Sequence, residues 1–186
     1  FVIAEVNSEL FNQEVKVFFE KGISGFHEEE LDINAQLEFQ ELKGFKNTVI
    51  ANISAKEADY LLANQRSNHV FFKNDFTTSK QSSIALKIEK EKWNFSLELG
   101  AQEFDDFIYF DKDIQARQFD GSISNVYFEL SKKFSFLKHF NLFNRIKYQQ
   151  ISEELVVPLP ELFSYHSLYY ENDFVKSALK LQVGAD

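Results

Sequence analysis

The sequence predicts an all-β chain that folds as an antiparallel up-and-down meander of about ten strands. Apolar and polar residues alternate with a period of two along most of the chain, which is the pattern of two-faced strands. The connections between the predicted strands alternate between short and long. The chain also holds 22 phenylalanines, yet its mean hydropathy is only -0.32. Such a composition is expected when apolar residues are interleaved with polar ones.

The alternation can be followed from one strand to the next. Between 31 and 40 every odd residue is apolar and every even residue is polar, and 84–89, 93–100, 140–149 and 179–183 largely repeat this pattern. Helical spacing is confined to 55–64, which we interpret as a loop with one helical turn. The predicted strands are 2–8, 13–20, 31–41, 47–55, 80–89, 92–101, 121–131, 139–150, 164–172 and 177–185.

The connections indicate which kind of β protein this is. Outer-membrane barrels have short periplasmic turns and longer extracellular loops, whereas a soluble sandwich has no reason to sort its loops in this way. The sequence contains no apolar run of roughly 18 residues, so a transmembrane helix is excluded. We interpret 1–186 as a single segment of an incomplete transmembrane β-barrel. Short connections are predicted near 9–12, 43–46, 89–91, 131–138 and 172–175, and long ones over 21–30, 56–79, 102–120 and 151–163.

Charged side chains within the predicted strands fall almost entirely on one face. In a soluble sheet the polar face meets external water, whereas in a membrane barrel it lines a wet lumen and the apolar face meets lipid. Alternation alone fits both arrangements, but the loop asymmetry and the aromatic residues near strand ends favour the barrel. The apolar residues of 31–39, 93–99 and 179–183 are then expected to face lipid. The candidate lumen-facing residues, which mix both signs of charge, are Glu14, Lys16, Glu38, Lys87, Glu98, Glu129, Arg145, Lys147 and Lys180.

Composition also argues against several classes of function. The formal net charge of -9 argues against a nucleic-acid partner, which requires clustered basic residues. The chain has no cysteine, and its serines and glycines form neither a nucleophile elbow nor a phosphate-binding loop. His27 with the glutamates 28–30, and the acidic run 103–113, are interpreted as solvated loops. We therefore expect a non-enzymatic protein without a catalytic, cofactor or metal site.

Three stretches of the sequence are similar to one known family. They are RSNHVFFKNDF (66–76), DDFIYFDKDIQARQF (105–119) and the whole of 146–186. Through them the chain resembles the Bacteroidetes-type putative porins, which are large outer-membrane β-barrels; 66–186 match well and 1–65 only loosely. The resemblance implies an outer-membrane location in a Gram-negative bacterium and an internal segment of a longer chain. The match is carried by Asn68, His69, Tyr109, Asp111, Gln115, Tyr148, Gln149, Pro158, Pro160, 168–170 and 181–184.

Three functions remain open from the sequence. The first is a porin-like barrel that lets small solutes diffuse passively across the outer membrane. The second is a non-conducting barrel that serves as a subunit or scaffold of a larger outer-membrane complex, and the third is a soluble all-β domain for extracellular binding. The expected partners are outer-membrane lipid and, for the second function, other outer-membrane proteins. For an open pore, the acidic long loops predict a weak cation preference that fades as salt rises.

Overall fold

The computed structural model describes residues 1–10, 13–23, 25, 28–66, 71–175 and 179–186. Its main feature is one ten-stranded antiparallel sheet, which confirms the predicted all-β fold. Strands are numbered in chain order, and the numbers missing from this sheet belong to short strands in its connections. The sheet consists of β1 (Val2–Leu10), β2 (Gln13–Lys21), β3 (Leu31–Leu42), β4 (Phe45–Lys56), β7 (Ser79–Lys90), β8 (Phe95–Asp105), β11 (Ser122–Phe136), β12 (Phe140–Ile151), β13 (Leu162–Val175) and β14 (Leu179–Ala185).

The strands form a meander, in which each strand of the sheet pairs with the next one along the chain. The order is β1-β2-β3-β4-β7-β8-β11-β12-β13-β14, so that β1 and β14 are the two edges. Most of the pairing is in continuous register; β7 and β8, for example, pair from Lys80 with Asp105 to Lys90 with Phe95. An up-and-down sheet of this kind is consistent with the wall of a β-barrel.

The connections are sorted between the two ends of the sheet. At the first, which we call the short-turn end, Lys43 and Gly44 join β3 to β4 with φ of 54° and 74°. Two left-handed residues are the requirement of the tight hairpin turn that matches strand twist. The second, the long-loop end, carries the connections 22–30, 57–78, 106–121 and 152–161. The predicted alternation of short and long connections is therefore confirmed.

Several predicted strand boundaries are wrong. The strand expected over 92–101 begins at Phe95, because Glu91–Trp93 form a short 3-10 turn that ends at the left-handed Asn94. Trp93 therefore lies in a turn and not in β8. The connections expected at 131–138 and 172–175 belong largely to strands, since β11 continues to Phe136 and β13 to Val175.

The long connections contain secondary structure of their own. A single helical turn, α1 (Tyr60–Ala63), lies within 55–64, the segment in which the sequence predicted one. Two hairpins were not predicted: β5 (Asn64–Arg66) pairs with β6 (Phe71–Lys73), and β9 (Ile108–Phe110) pairs with β10 (Ala116–Gln118). Each of these strands has only three residues, which is too short for a period of two to be recognised.

The two faces of the sheet differ in their exposure to solvent. The apolar face is the exposed one and the polar face is shielded, which is the reverse of the arrangement in a soluble protein. At the centre, the apolar-face residues Ile84 and Val126 are 57% and 60% exposed, whereas the polar-face residue Asn125 is 3% exposed. Along β7 the alternation is regular, with the polar-face side chains half-buried and the apolar-face side chains exposed from Lys80 to Leu86. The polar face is therefore the shielded one, as on the inner side of a curled sheet. Within the described chain no second layer covers the apolar face.

Candidate functional site: the polar face of the sheet

The polar face brings together all of the candidate lumen residues. In an antiparallel pair, residues directly opposite one another share a face, so the register assigns a face to every strand residue. The pairs Glu14–Glu38, Lys87–Glu98 and Glu129–Lys147 extend from β2 to β12 on one face. Lys16, Arg145 and Lys180 fall on this same face through their partners Gln36, Ser131 and Asp173. That this face lines a lumen remains a prediction.

Six of the nine candidates lie in a single row across the sheet. Each member of the row is the register partner of the next one, from β2 through β12, and Thr48 is the one uncharged position among the seven. Thr48 is also almost fully buried, with 3% of its surface exposed. In a closed barrel such a row would run around the lumen wall. The row is Glu14, Glu38, Thr48, Lys87, Glu98, Glu129 and Lys147.

Five basic residues on the polar face form ion pairs with carboxylates that lie in the row or close to it. Arg145 donates two hydrogen bonds to the two carboxylate oxygens of Glu129, through Nε and Nη2, both at 2.8 Å. Such a two-point contact fixes the guanidinium more firmly than a single ammonium contact does. The other ion pairs are Lys16 with Glu14 at 3.1 Å, Lys46 with Glu38 at 2.9 Å, Lys87 with Glu89 at 2.8 Å, and Lys180 with Glu171. Each of these five basic side chains is therefore matched by a carboxylate on the same wall.

A tyrosine packs over a glycine at the centre of the polar face. The ring of Tyr127 covers Gly100 so closely that a Cβ at residue 100 would lie 2.4 Å from its Cζ atom. The Tyr127 hydroxyl donates a hydrogen bond to Glu98 at 2.7 Å, and the ammonium of Lys147 lies 4.7 Å from the ring centroid. An aromatic ring laid over a glycine of the neighbouring strand fills the space that the missing side chain leaves. Tyr127 therefore contacts two charged residues of the row, Glu98 and Lys147, while its ring covers Gly100.

Sequence reasoning missed several members of this site. Lys46 and Glu89 have the polar-face parity but were placed at or beyond the ends of the predicted strands 47–55 and 80–89. Glu171 was inside a predicted strand, but its pairing with Lys180 depends on the register of β13 and β14. The contact of Tyr127 with Gly100 likewise follows from the register of β8 and β11, which the alternation of a single strand does not contain.

Side chains at the long-loop end join neighbouring loops. Gln118 accepts hydrogen bonds from the backbone N–H and the hydroxyl of Thr77 at 2.9 Å and 3.2 Å, and donates to the carbonyls of Thr77 and Asp106, both at 2.8 Å. The Thr78 hydroxyl donates to Glu29 at 2.7 Å. The three connections that precede β3, β7 and β11 are thus tied together beside the end of the sheet.

The hairpin of β9 and β10 is closed by one carboxylate. Asp111 accepts hydrogen bonds from the backbone N–H groups of Gln115 and Asp113 at 2.9 Å, and from Nε of Arg117 at 3.0 Å. The Gln115 N–H, followed by the Arg117 guanidinium, lowers the pKa of the Asp111 carboxyl below its ordinary value of 3.8. Two of the residues that carried the family resemblance, Asp111 and Gln115, therefore hold the shape of this hairpin.

The described part of the chain contains no group of three or more His, Asp or Glu side chains that could hold a metal ion. His27 and His69 lie outside the described residues. A search of the same residues found no helix with the length and apolar character that crossing a membrane would require.

Comparison with known proteins gave one match. A family model described as "Putative porin" matches residues 1–186, which is the entire chain. Searches of curated proteins and of solved structures gave no match.

Proposed function

Because the chain belongs to the putative porin family, we propose that its sheet forms part of the wall of an outer-membrane β-barrel through which small solutes diffuse passively. The polar face would line the lumen and the apolar face would meet lipid. Exposed sheet edges are not tolerated in lipid, so the edges β1 and β14 must be paired in the membrane. The proposal assigns the chain no catalytic step.

The inverted burial of the sheet is the observation that best supports this proposal. Val126, Ile84 and Leu99 lie at the centre of the apolar face and are exposed, whereas their polar neighbours are shielded. In water, an apolar surface spanning ten strands would be a strong liability for aggregation. In a bilayer the same surface needs no cover, because lipid tails replace the second protein layer.

The polar face suits the passage of hydrated solutes without strong selection. Its ion pairs leave no ring of like charge, and such rings are what give pores strong ion selectivity. The long-loop end, in contrast, carries acidic residues at 28–30, 105–106, 111, 113 and 153–154. Negative charge at a pore mouth concentrates cations over a Debye length of roughly 8 Å at physiological salt. We therefore expect a weak cation preference.

Reversal potentials of the full-length protein in planar bilayers test the conducting function. Under a salt gradient we expect open channels with a small cation preference that diminishes as both salt concentrations are raised. A variant with Glu153→Gln and Glu154→Gln, which removes two acidic side chains from the long-loop end, should show less preference at unchanged conductance. A clear preference for anions would contradict the charge argument, and the absence of any conductance would refute the pore.

A second candidate function is favoured by exposed apolar side chains at the long-loop end. Leu155 is 95% exposed and Ile114 is 80% exposed, and both lie in connections at the long-loop end and not in the strands of the sheet. Exposed apolar residues on a rigid loop suit a protein partner. As a complex subunit, the native protein should migrate as a larger assembly in mild detergent. Leu155→Ser with Ile114→Ser should then release it as a smaller species, and an unchanged size would count against this function.

A further inference from the structure

Aromatic and basic side chains form a cluster where the apolar face meets the short-turn end. Lys90, Phe95 and Lys132 occupy one cross-strand row of β7, β8 and β11, since Lys90 pairs with Phe95 and Phe95 with Lys132. The turn after β7 adds Trp93, and the ring of Phe45 packs edge-on against Trp93 with centroids 5.8 Å apart. We call these five residues the Trp93 cluster.

The two ammonium groups of the cluster converge on one indole ring. Lys90 Nζ lies 3.8 Å from the Trp93 ring centroid and Lys132 Nζ lies 6.0 Å from it. Lys90 also donates to the carbonyl of Lys43 at 3.3 Å, and Lys132 donates to the carbonyl of Trp93. Rings and carbonyls orient a cation but leave its net charge uncompensated. The cluster is therefore a preformed site with two positive charges.

Among the described residues, no carboxylate forms an ion pair with either of these two lysines. The ion pairs of the described sheet all involve polar-face residues, and none includes Lys90 or Lys132. By the strand register both lysines lie on the other face, where the Lys90 ammonium lies over the rings of Phe45 and Trp93 and the Lys132 ammonium over those of Trp93 and Phe134. In a bilayer, the anions at this depth are the phosphates of lipid headgroups.

We propose that the Trp93 cluster is a binding site for an anionic phospholipid, whose headgroup phosphate lies between the ammonium groups of Lys90 and Lys132. Trp93 and Phe95 would contact the region below the phosphate, where aromatic rings are favoured at membrane interfaces. This inference rests on the proposed function, because it requires the apolar face to meet lipid. Within the described ranges the other end of β7 offers no equivalent site, since Lys80 stands opposite Asp105 in the register and no cation–π contact places it over a ring there.

The fluorescence of Trp93 can report directly on lipid binding at the cluster, because Trp93 is the single tryptophan of the 186 residues. The full-length protein, with any other tryptophan replaced by phenylalanine, is folded into vesicles of phosphatidylcholine that contain either brominated phosphatidylglycerol or brominated phosphatidylcholine. Bromine quenches indole fluorescence at short range. We expect brominated phosphatidylglycerol to quench with a relative binding constant about fivefold higher, as for a cation that gains roughly 1 kcal/mol at an anionic surface. The preference should fall as salt is raised.

Variants separate this site from general attraction to anionic lipid. Lys90→Gln with Lys132→Gln should abolish the preference, whereas Lys80→Gln, on the same face at the other end of β7, should retain it. Equal quenching by both lipids in the unaltered protein would overturn the phospholipid site while leaving the membrane barrel intact. If neither brominated lipid quenched Trp93 in the folded protein, the lipid-facing orientation would be contradicted, and with it the proposed function.

Discussion

Gly100 constrains the polar face because it has no side chain. Adding a Cβ would force the Tyr127 ring to move, because the added atom would lie within 2.6 Å of three ring and hydroxyl atoms. The ring can swing away only by giving up its hydrogen bond to Glu98 at 2.7 Å. Gly100→Ala should therefore lower the free energy of unfolding by about 1–2 kcal/mol. Urea unfolding of the protein from lipid vesicles measures this loss.

A double-mutant cycle isolates the contact with the ring. In a Tyr127→Ser background the space above residue 100 is open, so the same Gly100→Ala change should cost little or even stabilise the strand, since glycine is a poor strand residue. Similar losses of unfolding free energy in both backgrounds would show that contact with the Tyr127 ring is not what makes an alanine unfavourable at residue 100.

The lowered pKa of Asp111 predicts that the stability of the hairpin of β9 and β10 depends on pH. Hydrogen bonds from Gln115 and Arg117 lower the pKa of this carboxyl in the folded state below 3.8. Since the folded pKa is depressed, the stabilisation is fully present above the ordinary pKa and is lost as the pH falls through the lowered value. Hydrogen-exchange protection of the Asp113 and Gln115 amides should follow this course. In Asp111→Ala, which removes the acceptor of both N–H bonds, protection should be low at every pH, and native protection in this variant would refute the role of the carboxylate.

At the scale of elements, the sequence predicts the ten long strands but not the detail of their ends. Period-two alternation is a property of strand interiors, where one face is apolar. It is lost near the ends, where Lys132 lies on the apolar face and Trp93 belongs to a turn. The hairpin of β9 and β10 is defined by the side-chain bonds of Asp111 and not by alternation. Such bonds connect particular atoms and leave no periodic signal in the sequence.

Gln118 connects two neighbouring loops through hydrogen bonds. We therefore expect both loops to become more sensitive to protease when these hydrogen bonds are removed. The Gln118 amide makes four hydrogen bonds, three to Thr77 and one to the carbonyl of Asp106. Gln118→Leu keeps the size of the side chain but removes all of them, so segments 57–78 and 106–121 should be cleaved several-fold faster by a protease added to vesicles. Gln115→Leu removes only a contact of 3.4 Å to the carbonyl of Asp113 and serves as the control. Equal cleavage of the two variants would contradict this link.

For the molecule as a whole, the sequence predicts the face of each candidate residue but not the row in which they meet. Parity along a strand decides the face, so all nine candidates were assigned to one side of the sheet from the sequence alone. The row through Glu38, Lys87 and Glu129 also requires the relative shift of neighbouring strands, which the turns and hydrogen-bond ladders determine. The same limitation hid the Trp93 cluster, because its lysines come from two strands that do not adjoin.

Neighbouring residues at the middle of β7 test the membrane orientation of the entire sheet. Ile84 is 57% exposed on the apolar face, and Ser83 is half-buried on the polar face. In water, an arginine at an exposed position such as 84 would cost almost nothing, and the shielded position 83 would be the more sensitive. In a bilayer the order is reversed, because an arginine on the lipid face near the midplane costs about 2–4 kcal/mol while the lumen side remains wet. Unfolding free energies of Ile84→Arg and Ser83→Arg in vesicles should show the larger loss at 84, and a larger loss at 83 would contradict the lipid-facing assignment.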